Sequence, residues 1–221
     1  MTKRYFLLSL LLCLLSGCVH QSSQKATQDP QAIADARIAL GLAYLKQHDS
    51  VKAKQNLDRA LAVMPHYLSA QLAMTYYYEQ VGELGLTRKA FTDALKDHRQ
   101  SGDLLNNYGA FLCRQKEYAL SLTFFERAVA SPNYHDIAAT YENAALCAWQ
   151  AKQDDKALRY FTHALHYSPD NERLQRYMIR WASETKQWDV VKERLQHYVR
   201  RFGNSRYTAE IERQLASVSR N

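Results

Sequence analysis

The stretch GLAYLKQHDSVKAKQNLDRALAVMP, residues 41–65, decides the fold. Small residues (Gly41, Ala53, Ala60) alternate with large ones (Tyr44, Leu57) on either side of a polar turn, and Pro65 closes the stretch. Such a pattern describes two antiparallel helices that approach closely through their small residues, the second stopped by a proline. The pattern then recurs along the chain. A unit starting at Ala34 ends near Tyr67; the next starts at Leu68 and places Met74, Tyr78, Phe91 and Ala94 at matching offsets. A third, from Gly102, has Tyr108, Gly109, Leu112, Phe125 and Ala128. The fourth starts at Ala138, two residues late because SPNYHD lengthens the preceding turn, and carries Ala144, Ala148, Ala157, Phe161, Ala164 and Pro169. The fifth, from Glu172, is degenerate: Met178, Ala182, Val191 and Leu195 fit, but Tyr198 stands where alanine is usual.

These offsets match the tetratricopeptide repeat (TPR) pattern. The expected fold is all-α: a superhelical TPR solenoid of about five helix pairs, with repeats near 34–67, 68–101, 102–137, 138–171 and 172–205. Arg206 to Ser219 reads as a capping helix, with Ile211, Leu215 and Val218 as its buried stripe. Asp29-Pro30 reads as an N-cap followed by proline at the first helical position, so the TPR domain is expected over 30–221. One repeat cannot bury its apolar face alone; stacked repeats make a continuous core.

The beginning of the chain has a different character. Lys3 and Arg4 precede an apolar run from Tyr5 to Leu15, the layout of a secretory leader too short to span a bilayer comfortably. The tetrad Leu15-Ser16-Gly17-Cys18 resembles the bacterial lipobox. That resemblance implies removal of residues 1–17 and acylation of Cys18 on its thiol and on the new amino group. Several acyl chains on one residue hold a protein to a membrane where one chain binds only marginally. Val19 stands where an aspartate would resemble an inner-membrane retention signal, so the outer membrane is the expected location. Residues 18–29 read as a polar, flexible tether with a reach of roughly 15–20 Å.

Few glycines and prolines, with abundant Ala, Leu, Gln and Tyr, suit a helical body. Residues 18–171 hold 16 basic and 16 acidic residues, whereas residues 172–221 hold 11 and 6, so the positive excess gathers at the end of the chain. The sequence shows no Gly-rich phosphate loop, nucleophile elbow or HExxH. His163 and His166 share a helix face but read as solvated side chains, and Asp154-Asp155 reads as a helix start rather than an acid/base pair. No catalytic residue, metal site or cofactor is expected beyond the covalent lipid on Cys18. A basic end on an exported lipoprotein points to an acidic protein or lipid surface rather than to nucleic acid.

A binding groove is the remaining candidate. TPR offsets that face the concave side select Leu72, Tyr76, Asn106, Glu142, Leu146, Trp149, Arg173, Arg176 and Arg180. This groove runs from an apolar, aromatic middle to a basic end, and aromatics with arginine are enriched at binding hot spots. Cys113 and Cys147 lie on first helices of adjacent repeats. In an oxidising compartment a disulfide fits them, and so do two buried thiols that pack as small apolar residues.

The NNYGAFLC opening of the third repeat, the Pro132–Tyr134 turn and the ENAALCA of the fourth resemble the PilF/PilW family of type IV pilus lipoproteins, the pilotins. The resemblance implies a non-enzymatic role: binding the secretin subunit of the pilus machine and helping it reach, and oligomerise in, the outer membrane. From the residues alone, a general outer-membrane TPR adaptor for envelope or cell-wall enzymes fits as well. The protein is expected to be monomeric, lipid-anchored at the periplasmic face.

Overall fold

A computed structural model describes residues 29–219; the leader, Cys18 and the tether over 18–28 lie outside the described residues. Among the described residues there are eleven helices and no strand: α1 (Pro30–Lys46), α2 (Ser50–Val63), α3 (Leu68–Gln80), α4 (Leu84–Asp97), α5 (Gly102–Arg114), α6 (Tyr118–Val129), α7 (Ile137–Gln150), α8 (Asp154–Tyr167), α9 (Glu172–Glu184), α10 (Trp188–Phe202) and α11 (Arg206–Val218). They form five antiparallel pairs stacked one after another, with α11 added as an unpaired last helix. The first helix starts with Pro30 at its first position, and the Asp29 carboxylate accepts the Gln31 N–H at 3.0 Å.

One local device makes every pair. The first helix of each ends on a single residue in the left-handed region: His48, Gly82, Lys116, Lys152 and Lys186, with φ of 62, 81, 63, 58 and 60°. The next N–H then reaches back to a carbonyl five residues earlier, as in Glu117 N to Leu112 O at 2.9 Å and Gln187 N to Ala182 O at 2.8 Å. This is a Schellman closure, which satisfies the last carbonyls of the helix and turns the chain by one fixed angle. Only Gly82 adopts that conformation without a Cβ penalty. A triple variant, Lys116→Gly with Lys152→Gly and Lys186→Gly, should therefore gain about 1 kcal/mol, after allowing for glycine's greater freedom in the unfolded chain. Thermal circular dichroism should show a melting temperature higher by about 2–4 °C; a lower one would mean the lysine side chains do more than fill the turn.

Close packing follows from the small residues. A Cβ on Gly109 would lie 2.9 Å from the Phe125 ring, and one on Gly41 would lie 2.8 Å from the Leu57 side chain, so both helix pairs need glycine to approach as they do. Ala53, Ala60, Ala94, Ala128, Ala157 and Ala164 are all buried on the second helices, and Phe91, Phe125 and Phe161 fill the space beside them. The longer turn before α7 has its own purpose. Tyr134 lays its ring on Gly102, where any Cβ would come within 2.3 Å of it, and bonds Thr140 Oγ1 at 2.6 Å. The two additional residues thus place an aromatic staple across the junction of the third and fourth pairs. At the far end the core is closed by Trp181, Ile179 and Val191, all fully buried, and by Ile211 of α11. Val218, expected in the buried stripe of α11, is 36% exposed, because α11 has no second helix to pack against its last turn.

Candidate functional site

The first helices α1, α3, α5, α7, α9 and α11 line the inner face. Three polar rungs tie them together from one repeat to the next. Arg114 grips Glu79 through two bonds of 2.6 and 2.8 Å, joining α5 to α3. Asn143 Nδ2 donates to Asn106 Oδ1 at 3.0 Å, joining α7 to α5. Arg173 Nη2 lies 2.8 and 3.0 Å from the two carboxylate oxygens of Glu142, joining α9 to α7. Beside these rungs, Cys113 on α5 and Cys147 on α7 are joined by a disulfide with a Cα–Cα distance of 5.8 Å, and both residues are buried. The Ser121 hydroxyl, which donates to Gly109 O at 2.7 Å, sits 3.3 Å from the Cys147 sulfur.

Two clefts open on this face. The first, about 990 Å³, lies between α1 and α3 and is mainly apolar, with Ile38, Leu42, Leu45, Leu72 and Tyr76 on its walls. Leu42 and Tyr76 are 37 and 49% exposed, unusual for large apolar side chains that face each other across a groove. The second cleft, about 880 Å³, lies between α9 and α11. Arg173, Arg176 and Arg180 form one stripe along its α9 wall, and Tyr207, Ile211, Gln214 and Val218 stand opposite. A smaller hollow, with Leu146 and Trp149, continues it toward α7 through Tyr177 and Arg180.

The arginines of the second cleft are held by aromatic rings. Arg176 lies 4.5 Å over Tyr207, Arg180 lies 5.8 Å over Trp149, and Arg173 lies 5.9 Å over Tyr177. A guanidinium stacked in this way keeps its N–H edge free for hydrogen bonding while losing little further freedom on binding. Each also has a carboxylate of the protein nearby. Glu184 pairs with Arg180 at 2.9 Å, and Glu172 is 3.8 Å from Arg176 while accepting the Tyr198 hydroxyl at 2.6 Å. Burial pushes the Tyr207 hydroxyl up to about 12, and its oxygen is enclosed, with no hydrogen-bond partner among the described residues.

The sequence-selected residues therefore divide. Leu72 and Tyr76 share the first cleft; Leu146, Trp149, Arg173, Arg176 and Arg180 share the second and its extension. Asn106 and Glu142 are not presented to a ligand: Asn106 is spent on Asn143, and Glu142, 5% exposed, lies beneath Arg173. Sequence reasoning missed Leu42, Tyr177 and Tyr207. Tyr207 belongs to α11, which was read only as a cap; an aromatic in the first turn of a terminal helix, facing an arginine stripe, was the available signal. His163 does not stand free, since its ring stacks on Tyr141 at 4.9 Å.

Comparison with known proteins places this geometry. Residues 100–166 match the tetratricopeptide repeat family model. The chain is 38% identical over 142 residues to an uncharacterized protein of Haemophilus influenzae, spanning 64% of this chain and 78% of that one. It is 32% identical over 168 residues to the type IV pilus assembly protein PilF of Pseudomonas aeruginosa, spanning 75% of this chain and 67% of PilF. Among solved structures, Pseudomonas aeruginosa PilF superposes with a TM-score of 0.71 at 24% identity over 86% of both chains. PilW, a widely conserved type IV pilus biogenesis factor, superposes with a TM-score of 0.70 at 22% identity over 85% of this chain and 88% of its own.

Proposed function

Since the chain belongs to the PilF/PilW family of type IV pilus biogenesis TPR proteins, we propose that it acts as a pilotin. Anchored by lipid on Cys18 at the periplasmic face of the outer membrane, it holds a segment of the secretin subunit on its inner face. It thereby helps the subunit reach, and oligomerise in, that membrane. The role is non-catalytic and needs no cofactor apart from the lipid. The observation that carries the reading is the inner face itself: two clefts at opposite ends of an array whose first helices are cross-braced from repeat to repeat. A braced groove binds an extended or helical segment without first ordering itself, which keeps the entropic cost of association low.

Two variants test it in cells that assemble pili. Cys18→Ala should leave the folded array intact but free of the outer membrane, or retained with its leader, and secretin multimers should fall with it. Leu72→Ala with Tyr76→Ala should leave the protein in the membrane and lower its melting temperature by no more than a few degrees, because Tyr76 is half exposed at the cleft and Leu72 is only partly buried against the core. Secretin multimers should nevertheless be lost, since truncating a central anchor costs about 2 kcal/mol of binding. Cell fractionation with immunoblotting of unheated samples reads both. Normal secretin multimers in cells lacking the protein altogether would end the reading.

A further inference from the structure

We propose that the cleft between α9 and α11 receives an acidic segment of a protein client, its carboxylates on Arg176 and Arg180 and an apolar side chain between Tyr177 and Ile211. The proposal rests on the inner face being the client-binding face and adds what chemistry each end of it selects. The first cleft is apolar and selects by burial. The second is different in kind: three guanidiniums in one stripe, each laid on an aromatic ring contributed by α7, α9 or α11.

The three are not equivalent. Arg173 is committed to a buried carboxylate from another repeat. Among the described residues, Arg180 pairs only with Glu184, one turn further along its own helix and itself about half exposed. Arg176 is 3.8 Å from Glu172, a separation too long for a hydrogen bond. Solvated pairs of this kind contribute little and exchange easily, so an incoming carboxylate displaces them at small cost. The stacked arginine is already oriented when it arrives. An acidic segment is thus matched by two exchangeable guanidiniums, and the cleft lining, three arginines against Glu172 and Glu184, keeps a positive balance. The cleft's apolar wall, Tyr177 with Ile211, favours an acidic segment that also carries a hydrophobic residue.

The test uses the full-length protein in detergent and a phage library displaying random dodecapeptides. Selected peptides should carry an excess of Asp and Glu together with an aliphatic or aromatic residue. Fluorescence anisotropy of an enriched dodecapeptide should show binding weakened at least about tenfold by Arg176→Ala with Arg180→Ala, and weakened by added salt. Glu184→Gln removes the internal competitor and should tighten binding about twofold, a change of sign that a purely structural role for the pair does not give. Peptides without acidic excess, unchanged affinity in the double arginine variant, or no enrichment above the bare support would each overturn the proposal. If capture depends on Leu72 and Tyr76 but not on the arginines, the second cleft fails while the inner-face reading stands. If it depends on neither set, both fail.

Discussion

Exchange of Cys113 and Cys147 for alanine is expected to lower stability by about 3–4 kcal/mol and the melting temperature by about 7–14 °C. The disulfide closes a loop across a sequence separation of 34, one full repeat, so it removes from the unfolded chain much of the freedom that folding must otherwise overcome. Alanine is the right replacement because both sites are buried, and a serine hydroxyl there would need a partner. In a stacked array each repeat contacts only its neighbours, so the loss should concentrate where the third pair meets the fourth. Amide exchange should accelerate first in α5 and α7. Reductant should reproduce the drop in the unaltered protein and do nothing to the double variant. If reduction leaves the melting temperature within 2 °C of its starting value, the cross-link contributes nothing to the folded array. A reduced protein would also loosen the floor between the two clefts, so the same experiment, run with secretin assembly as its readout, measures how much the brace matters to binding.

The repeat was legible because it rests on size. Gly41, Gly109 and the buried alanines stand where helices touch, and only small residues fit there, so their spacing gave the helix pairs, while Asp29-Pro30 marked where the first helix begins. Charge was less legible. The last fifty residues have an excess of arginine and lysine, which suggested a freely basic surface. In the fold, Arg173, Arg176, Arg180, Lys192, Arg194, Arg201 and Arg213 each lie within 4.0 Å of a carboxylate. Two of those partners come from about one repeat away, Glu142 for Arg173 and Asp170 for Arg201, as Glu79 does for Arg114 and Glu117 for Arg88 in earlier repeats. A net count over a window cannot see them, because stacking brings together residues some thirty positions apart. Opposite charges at roughly that separation were the available signal. The second cleft stayed hidden for a related reason: one of its walls is α11, whose exposed face has meaning only once α9 is placed beside it.

That distinction between a free and a committed arginine yields the sharpest contrast within one helix. Arg173→Glu should cost about 2–3 kcal/mol of stability, while Arg176→Glu should cost less than about 1 kcal/mol. Both residues sit on the exposed stripe of α9 and look alike in the sequence. Glu142, however, is 5% exposed and has Arg173 on both of its oxygens. Removing the partner of a fully buried charge costs about 3–5 kcal/mol; the Arg173 side chain is 67% exposed, so water offsets part of that. Reversal adds repulsion between two carboxylates at the same place. Arg176 loses the distant Glu172 and its stacking on Tyr207, with no buried charge left behind. Adding Glu142→Gln to Arg173→Glu removes the buried charge and should recover most of the loss. A deficit in thermal melting that Glu142→Gln fails to reduce would mean the pair is a surface contact. The junction of the fourth and fifth repeats would then be held by its apolar packing alone.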